Sequence, residues 1–129
     1  MIVFITLFGC SFSAADEETK YYQLASALTK LSTSVEATVR YEKIPDDATS
    51  NDIILQSTSH DKSLLQPFDS YKIKVHVEDR HAIVLLCNSS EDEAYLEDAG
   101  CSAELDKHHW KTKVIESCNA TLNLAQLCN

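Results

Sequence analysis

Glycine is scarce in this chain. Of its two glycines, Gly9 lies in an uncharged apolar start, and Gly100 stands alone in the remainder. A phosphate-binding loop, a dinucleotide-binding fingerprint and a Gly-x-Ser-x-Gly nucleophile elbow all need glycines at fixed spacing, so all three are excluded. His-Glu-x-x-His, the EF-hand calcium loop and Cys-x-x-Cys are missing as well. The last absence argues against a structural zinc site. Cations are also few: 11 Lys and Arg stand against 20 Asp and Glu, a net charge of −9. Binding to nucleic acid or to an anionic membrane surface replaces counterions with Lys and Arg, which this balance disfavours. The same balance suits a basic protein partner, and it also serves solubility. Beyond the first residues no apolar run is long enough for a membrane span.

What is present suffices for one domain: 129 residues with a hydrophobic share of 44%. Residues 1–8 are apolar but too short to cross a bilayer. Gly9-Cys10-Ser11-Phe12-Ser13-Ala14-Ala15 follows, then the abrupt acidic start Asp16-Glu17-Glu18. That order is the order of an export signal, and Ser13 and Ala15 satisfy the small-residue rule for cleavage after Ala15. Residues 1–15 are therefore expected to be removed, leaving 16–129 as a single periplasmic or secreted domain. No Lys or Arg precedes the apolar run, which departs from the usual signal. Leu7-Phe8-Gly9-Cys10 also resembles a bacterial lipobox, with bulky Phe8 where that pattern prefers a small residue. The alternative is thus a structural lipoprotein anchored through Cys10.

Tyr21, Leu24, Leu28, Leu31 and Val35 recur at spacings of three and four, one apolar stripe on a helix reaching to about Arg40. Asp16, Glu17 and Glu18 suit the start of that helix, where its dipole favours acids. Val35, Ala37, Val39 and Tyr41 also alternate as in a strand, but Val35 and Val39 continue the stripe, and helix is preferred. After the loop at 45–50, Thr49 or Ser50 is placed to cap a short helix through Ile53, Ile54 and Leu55. Asp61 is placed to cap a second turn carrying Leu64 and Leu65, ended by Pro67. These short pieces are expected to cover the second face of a sheet.

The sheet is read from residues 71–101. Tyr71, Ile73, Val75 and Val77 alternate with Lys72, Lys74, His76 and Glu78, the period of a half-buried strand. Glu78-Asp79-Arg80 is a break of turn length, and 82–87 runs apolar without interruption, as a strand buried on both faces does. After the polar break at 88–92, residues 93–97 alternate again. Three antiparallel strands in a meander follow, the most apolar in the middle. Ala120, Leu122 and Leu124 alternate with Thr121 and Asn123, which predicts a fourth strand over 119–124. The fold class is α+β: a long N-terminal helix packed on a small antiparallel sheet of three or four strands, with two disulfides.

Cys87, Cys101, Cys118 and Cys128 follow the export signal, and an even number there reads as two disulfides. Three pairings are open, and the sequence-local one, Cys87 with Cys101 and Cys118 with Cys128, is preferred. It requires that 112–128 not be one straight helix. Cys118 and Cys128 would then lie about 15 Å apart, against the roughly 7 Å a disulfide tolerates.

Candidate chemistry is thin. Asp106-Lys107-His108-His109-Trp110 is the densest polar and aromatic cluster. One of its histidines with His81 or His76 and an acid would make a metal or acid–base site, and His81, His108 and His109 are the residues carried for that alternative. The plainer expectation is a turn with Trp110 in the core and the histidines outside. Glu91, Asp92, Glu93, Glu97 and Asp98 form an acidic stretch with no base among them. It reads either as a charged guard on an edge strand or as a binding edge for a basic partner. Asn88-Ser89-Ser90 and Asn119-Ala120-Thr121 match the N-glycosylation sequon, which matters only in a eukaryotic source, whereas the near-lipobox leans bacterial. No cofactor is expected. The favoured function is a non-enzymatic exported protein that binds another protein, an inhibitor or immunity-type protein in its concrete form.

Overall fold

The computed structural model describes residues 8–90, 93–101, 109–115 and 117–128, with backbone alone at 8–18 and 109–115. The order is a long helix α1 (Phe8–Tyr41), a short helix α2 (Ser50–Ser57), a 3-10 helix (Lys62–Phe68), then strands β1 (Lys72–Glu78), β2 (His81–Cys87), β3 (Ala94–Ala99) and β4 (His109–Ile115), and a last turn of helix α3 (Leu124–Leu127). The strands form one antiparallel sheet in the order β1-β2-β3-β4. The α+β reading holds, and the meander lies where the alternation places it.

The chain folds this way because β2 has apolar side chains on both faces. Ala82, Val84 and Leu86 face the α1 stripe of Leu28, Leu31, Val35 and Val39. Ile83, Leu85 and Cys87 face the other way, against Cys118, Leu124 and their neighbours. The second cover is the C-terminal segment 118–128, not the short helical pieces. Ile53 of α2 and Leu64 and Leu65 of the 3-10 helix all pack into the α1 side of the core. Their caps are as read. Thr49 and Asp52 form a reciprocal capping box at α2, and Asp61 accepts from the Ser63 amide at the 3-10 helix. The 3-10 helix passes through Pro67 to Phe68 rather than stopping at the proline.

Three more expectations are corrected. Helix α1 begins at Phe8, so Asp16, Glu17 and Glu18 stand inside it rather than in its first turn. The fourth strand is His109–Ile115, paired to β3, while residues 117–123 form no strand and cross the second sheet face instead. Alternation at 120–124 marks contact with that face, because side chains of an extended segment alternate whether or not its backbone pairs. The cysteines pair at long range: Cys87 with Cys118, Cα atoms 5.9 Å apart, and Cys101 with Cys128, 4.8 Å apart. The local pairing fails because Cys118 and Cys128 are the two ends of the covering segment, each held to a different strand end.

The β1–β2 turn is made by Asp79 and Arg80, both with positive φ (51° and 65°). Two such residues in succession give the turn whose twist matches a hairpin, at a steric cost for non-glycine residues. The Arg80 side chain helps to hold it, donating from Nη2 to the Arg40 carbonyl at the end of α1, 2.6 Å away. The edge strand β1 is guarded at its middle: Ser50 Oγ accepts from the Val75 amide (2.9 Å) and donates to the Val75 carbonyl (3.3 Å).

Candidate functional site

The acidic stretch does not form one exposed edge. β3 is an internal strand. Its consecutive acids Glu97 and Asp98 are buried (0% and 3% exposed) and, by the period of a strand, point to opposite faces. Glu97 turns to the C-terminal segment and accepts from the Thr121 amide (3.0 Å) and the Thr121 hydroxyl. Asp98 turns to α1, where Thr29 Oγ1 donates to its Oδ2 (2.8 Å) and Ser32 Oγ to its backbone carbonyl (3.2 Å). Glu93 is partly exposed and closes the β2–β3 turn, its amide donating to Asn88 Oδ1. Glu91 and Asp92 lie outside the described residues. Burying a carboxylate is costly unless its oxygens are met by donors, and these two meet theirs, so they act as ties between layers.

Glu36 is a third buried carboxylate, fully buried on α1. Its Oε1 accepts from the Ala82 amide (2.9 Å) and its Oε2 lies 2.8 Å from His81 Nδ1. Arg40 lies one turn on, with Nε 3.8 Å from Glu36 Oε2 and Nη1 donating to the Cys101 carbonyl. Thr29, Ser32, Glu36 and Arg40 thus form a polar stripe beside the apolar one, and each of the four bonds to the start of β2, to β3 or to Cys101, two residues past it. The sequence contains this signal, a second stripe at spacings of three and four, but hydropathy alone hides it. Gly100 belongs to the same seam. A β-carbon there would lie 2.5 Å from Glu36 Cβ and 3.1 Å from the Ser32 carbonyl oxygen, so only glycine lets helix and sheet approach this closely.

The described histidine side chains are not gathered. His81 sits at this seam with Nδ1 taken by Glu36, which orients the ring and leaves Nε2 for any acid–base or ligand chemistry. His76 is exposed on β1, 3.4 Å from Glu78. His60 is exposed beside Asp61. His109 starts β4, where only backbone is described, so Trp110 and His109 stand in a strand rather than a turn, and His108 lies outside the described residues. Among the described residues no three of His, Cys, Asp and Glu come together as metal ligands. No described helix is long and apolar enough to cross a membrane.

Among the described residues two ionisations are displaced. Hydrogen bonds from the Ser63 hydroxyl and then the Ser63 amide hold the Asp61 carboxyl below its ordinary value. Burial, and then neighbouring Tyr22, push the Tyr21 phenol up. Asp61 lines an open groove of about 660 Å³ between α1 and the 3-10 helix, with Tyr22, Lys30 and Leu64, whereas Tyr21 packs against the core. The hairpin end carries a different surface. Tyr41 (76% exposed) and Val77 (42%) stand there with exposed Glu42, Glu78 and Asp79, while Arg40 and Arg80 turn their guanidinium groups to backbone carbonyls. Comparison of the chain with protein-family models, curated proteins and solved structures finds no match.

Proposed function

We propose that the chain is a small exported protein, periplasmic or secreted, that acts by binding another protein and not by catalysis. An inhibitor or an immunity-type protein is the concrete form. The observation that carries this reading is the use made of the ionisable groups. Glu36, Glu97 and Asp98, together with His81 and Arg40, are spent on holding helix, sheet and C-terminal segment together. The paired cysteines support an oxidising compartment.

The surface proposed for the partner is the hairpin end, in place of the acidic stretch, whose Glu97 and Asp98 are inside. There Tyr41 and Val77 offer apolar contact, and Glu42, Glu78 and Asp79 offer negative charge suited to a basic partner, with Lys43 beside them. The test is crosslinking capture with the chain 16–129 against two variants. One carries Tyr41→Ser with Glu78→Lys, and the other Glu93→Lys. A partner held by the parent and the Glu93 variant but lost from the hairpin variant is expected. A partner held equally by all three would remove this surface, and turnover of a small substrate by the purified chain would remove the reading itself. The second reading, acid–base or metal chemistry at His81 with His108 and His109, is favoured only by the Glu36–His81 pair. Its test is metal content after purification without chelator, in the parent and in His81→Gln.

A further inference from the structure

The two sequons converge in space. Asn88 directly follows Cys87, and Asn119 directly follows Cys118, and these two cysteines are partners in one disulfide. Their Cα atoms are 5.9 Å apart. Each asparagine lies one Cα step of about 3.8 Å further on, so the two acceptors stand no more than about 13.5 Å apart. Asn119 is exposed, with Nδ2 donating to the surface Ser117 hydroxyl at 3.1 Å. Asn88 is partly exposed in the β2–β3 turn, with Oδ1 accepting from the Glu93 amide. Neither following residue, Ser89 or Ala120, is proline, as the sequon requires.

We infer that Asn88 and Asn119 are both N-glycosylated, so that two glycans share the end of the molecule that carries the Cys87–Cys118 bridge. The reaction is transfer of an oligosaccharide from a lipid pyrophosphate donor. The asparagine amide nitrogen bonds to the anomeric carbon as its bond to the pyrophosphate oxygen breaks. The lipid pyrophosphate leaves, and one amide proton passes to a base of the transferase. In the folded chain the Thr121 hydroxyl of the second sequon is bonded to buried Glu97. Transfer at Asn119 therefore precedes the docking of 118–128 on the sheet, while that hydroxyl is still available to the transferase.

The placement has a consequence for binding. Cys87 and His81 are opposite ends of β2, about 20 Å apart at strand rise. The Arg80 bond to the Arg40 carbonyl puts the end of α1 at the His81 end. Glycans at Asn88 and Asn119 cover the end away from Tyr41 and Val77 and leave the hairpin end open to a protein partner. The inference rests on the secreted form of the export reading, in a eukaryotic secretory pathway, and not on its periplasmic form.

The experiment is intact-mass and peptide analysis of the chain isolated from its own source, before and after peptide N-glycanase in heavy-oxygen water. Glycan mass on both asparagines, each becoming a labelled aspartate on release, is expected. Asn88→Gln and Asn119→Gln should each remove one glycan's mass. They are preferred to changes at Thr121, which would also remove a bond to Glu97. A chain cleaved at its start, with both disulfides formed and either asparagine bare, overturns the inference and leaves export standing. A chain lipidated at Cys10 with bare asparagines does the same by the bacterial route. A chain with free thiols and an intact start overturns both.

Discussion

Replacing Gly100 by alanine tests whether the close approach of α1 to the sheet is a real constraint. The added β-carbon would lie 2.5 Å from Glu36 Cβ, more than 1 Å inside the roughly 3.5–4.0 Å at which carbon atoms rest. Glu36 Cβ is fixed by the helix backbone, so no side-chain rotation relieves the contact. The helix must move out, or the strand end must bend. Overpacking of this kind costs about 1–3 kcal/mol. The movement also stretches the bonds from Glu36 to the Ala82 amide and His81, which start at 2.9 and 2.8 Å, and a weakened bond of that type costs roughly 0.5–1.5 kcal/mol. Alanine restricts the unfolded chain and returns about 0.4–1 kcal/mol. The net loss is about 2 kcal/mol, and at roughly 4 °C per kcal/mol the melting point falls by about 8 °C. Urea unfolding of the chain 16–129, oxidised and monitored at Trp110, gives the value. The control is the double-mutant cycle with Glu36→Gly, which removes the opposing β-carbon. In that background Gly100→Ala should cost far less. A loss below about 0.5 kcal/mol in the parent, or an equal loss in both backgrounds, would refute the reasoning.

Four further outcomes are expected. Glu97→Ala leaves the Thr121 amide and hydroxyl without their acceptor and should cost about 2–4 kcal/mol, whereas Glu97→Gln, which keeps one acceptor oxygen, should cost less; equal losses in chemical unfolding would contradict the tie. Thr29→Val removes the donor to Asp98 and should cost about 1 kcal/mol, read by the same assay. Peptide mapping without reduction should show Cys87 joined to Cys118 and Cys101 to Cys128. With separations of 31 and 27 residues, losing either bridge as a double serine variant should cost about 3.5 kcal/mol in the chain-entropy account. Asp61 titrates below the ordinary carboxylate value, so its cap is fully present above the unfolded-state value and is lost as pH falls through the folded one. Ser63→Ala should raise the Asp61 midpoint in a carboxyl NMR titration, and an unmoved midpoint would show that the Ser63 hydroxyl is not the cause.

Much of the architecture was legible because it is written in hydropathy. The stripe from Tyr21 to Val39, the alternation of β1 and the unbroken β2 each run long enough for one period to prevail, the helical one even where Val35 to Tyr41 also alternate. The short caps at Thr49 and Asp61 were legible because capping is local. What sequence did not reveal depends on contacts between distant residues. The run of acids from Glu91 to Asp98 looks like one feature, yet a strand sends Glu97 and Asp98 to opposite faces, where Thr121 and Thr29 await them. The pattern around Leu122 looks like a strand, yet an extended segment lying over a sheet alternates too. Cysteine pairing follows from which strand ends the segment 118–128 spans, which spacing along the chain does not contain.

The polar stripe of α1 links these cases. Thr29, Ser32, Glu36 and Arg40 each bond to a particular group on β2, on β3 or at Cys101, a directional demand that the apolar stripe beside them does not make. Buried polar groups that must be met by particular donors fix register in this way. Asp98 and Glu97 then extend the same device through the sheet to Thr121, so helix, strand and C-terminal segment are aligned by a relay of carboxylates rather than by hydrophobic fit alone. A frame held so has a specific consequence for the hairpin end. The Arg80 guanidinium bonds to the Arg40 carbonyl, and Arg40 is itself placed by Glu36 and the Cys101 carbonyl, so the turn that carries the exposed Val77 and Asp79 is braced by the seam. Substituting Glu36 by glutamine, which keeps an acceptor for the Ala82 amide but removes the charge facing His81 and Arg40, should loosen the turn before it unfolds the core. Hydrogen exchange at Asp79, Arg80 and His81 would rise while exchange at Val84 and Leu85 stayed slow. Equal acceleration at both ends of β2 would mean that the seam only adds stability and does not brace the turn.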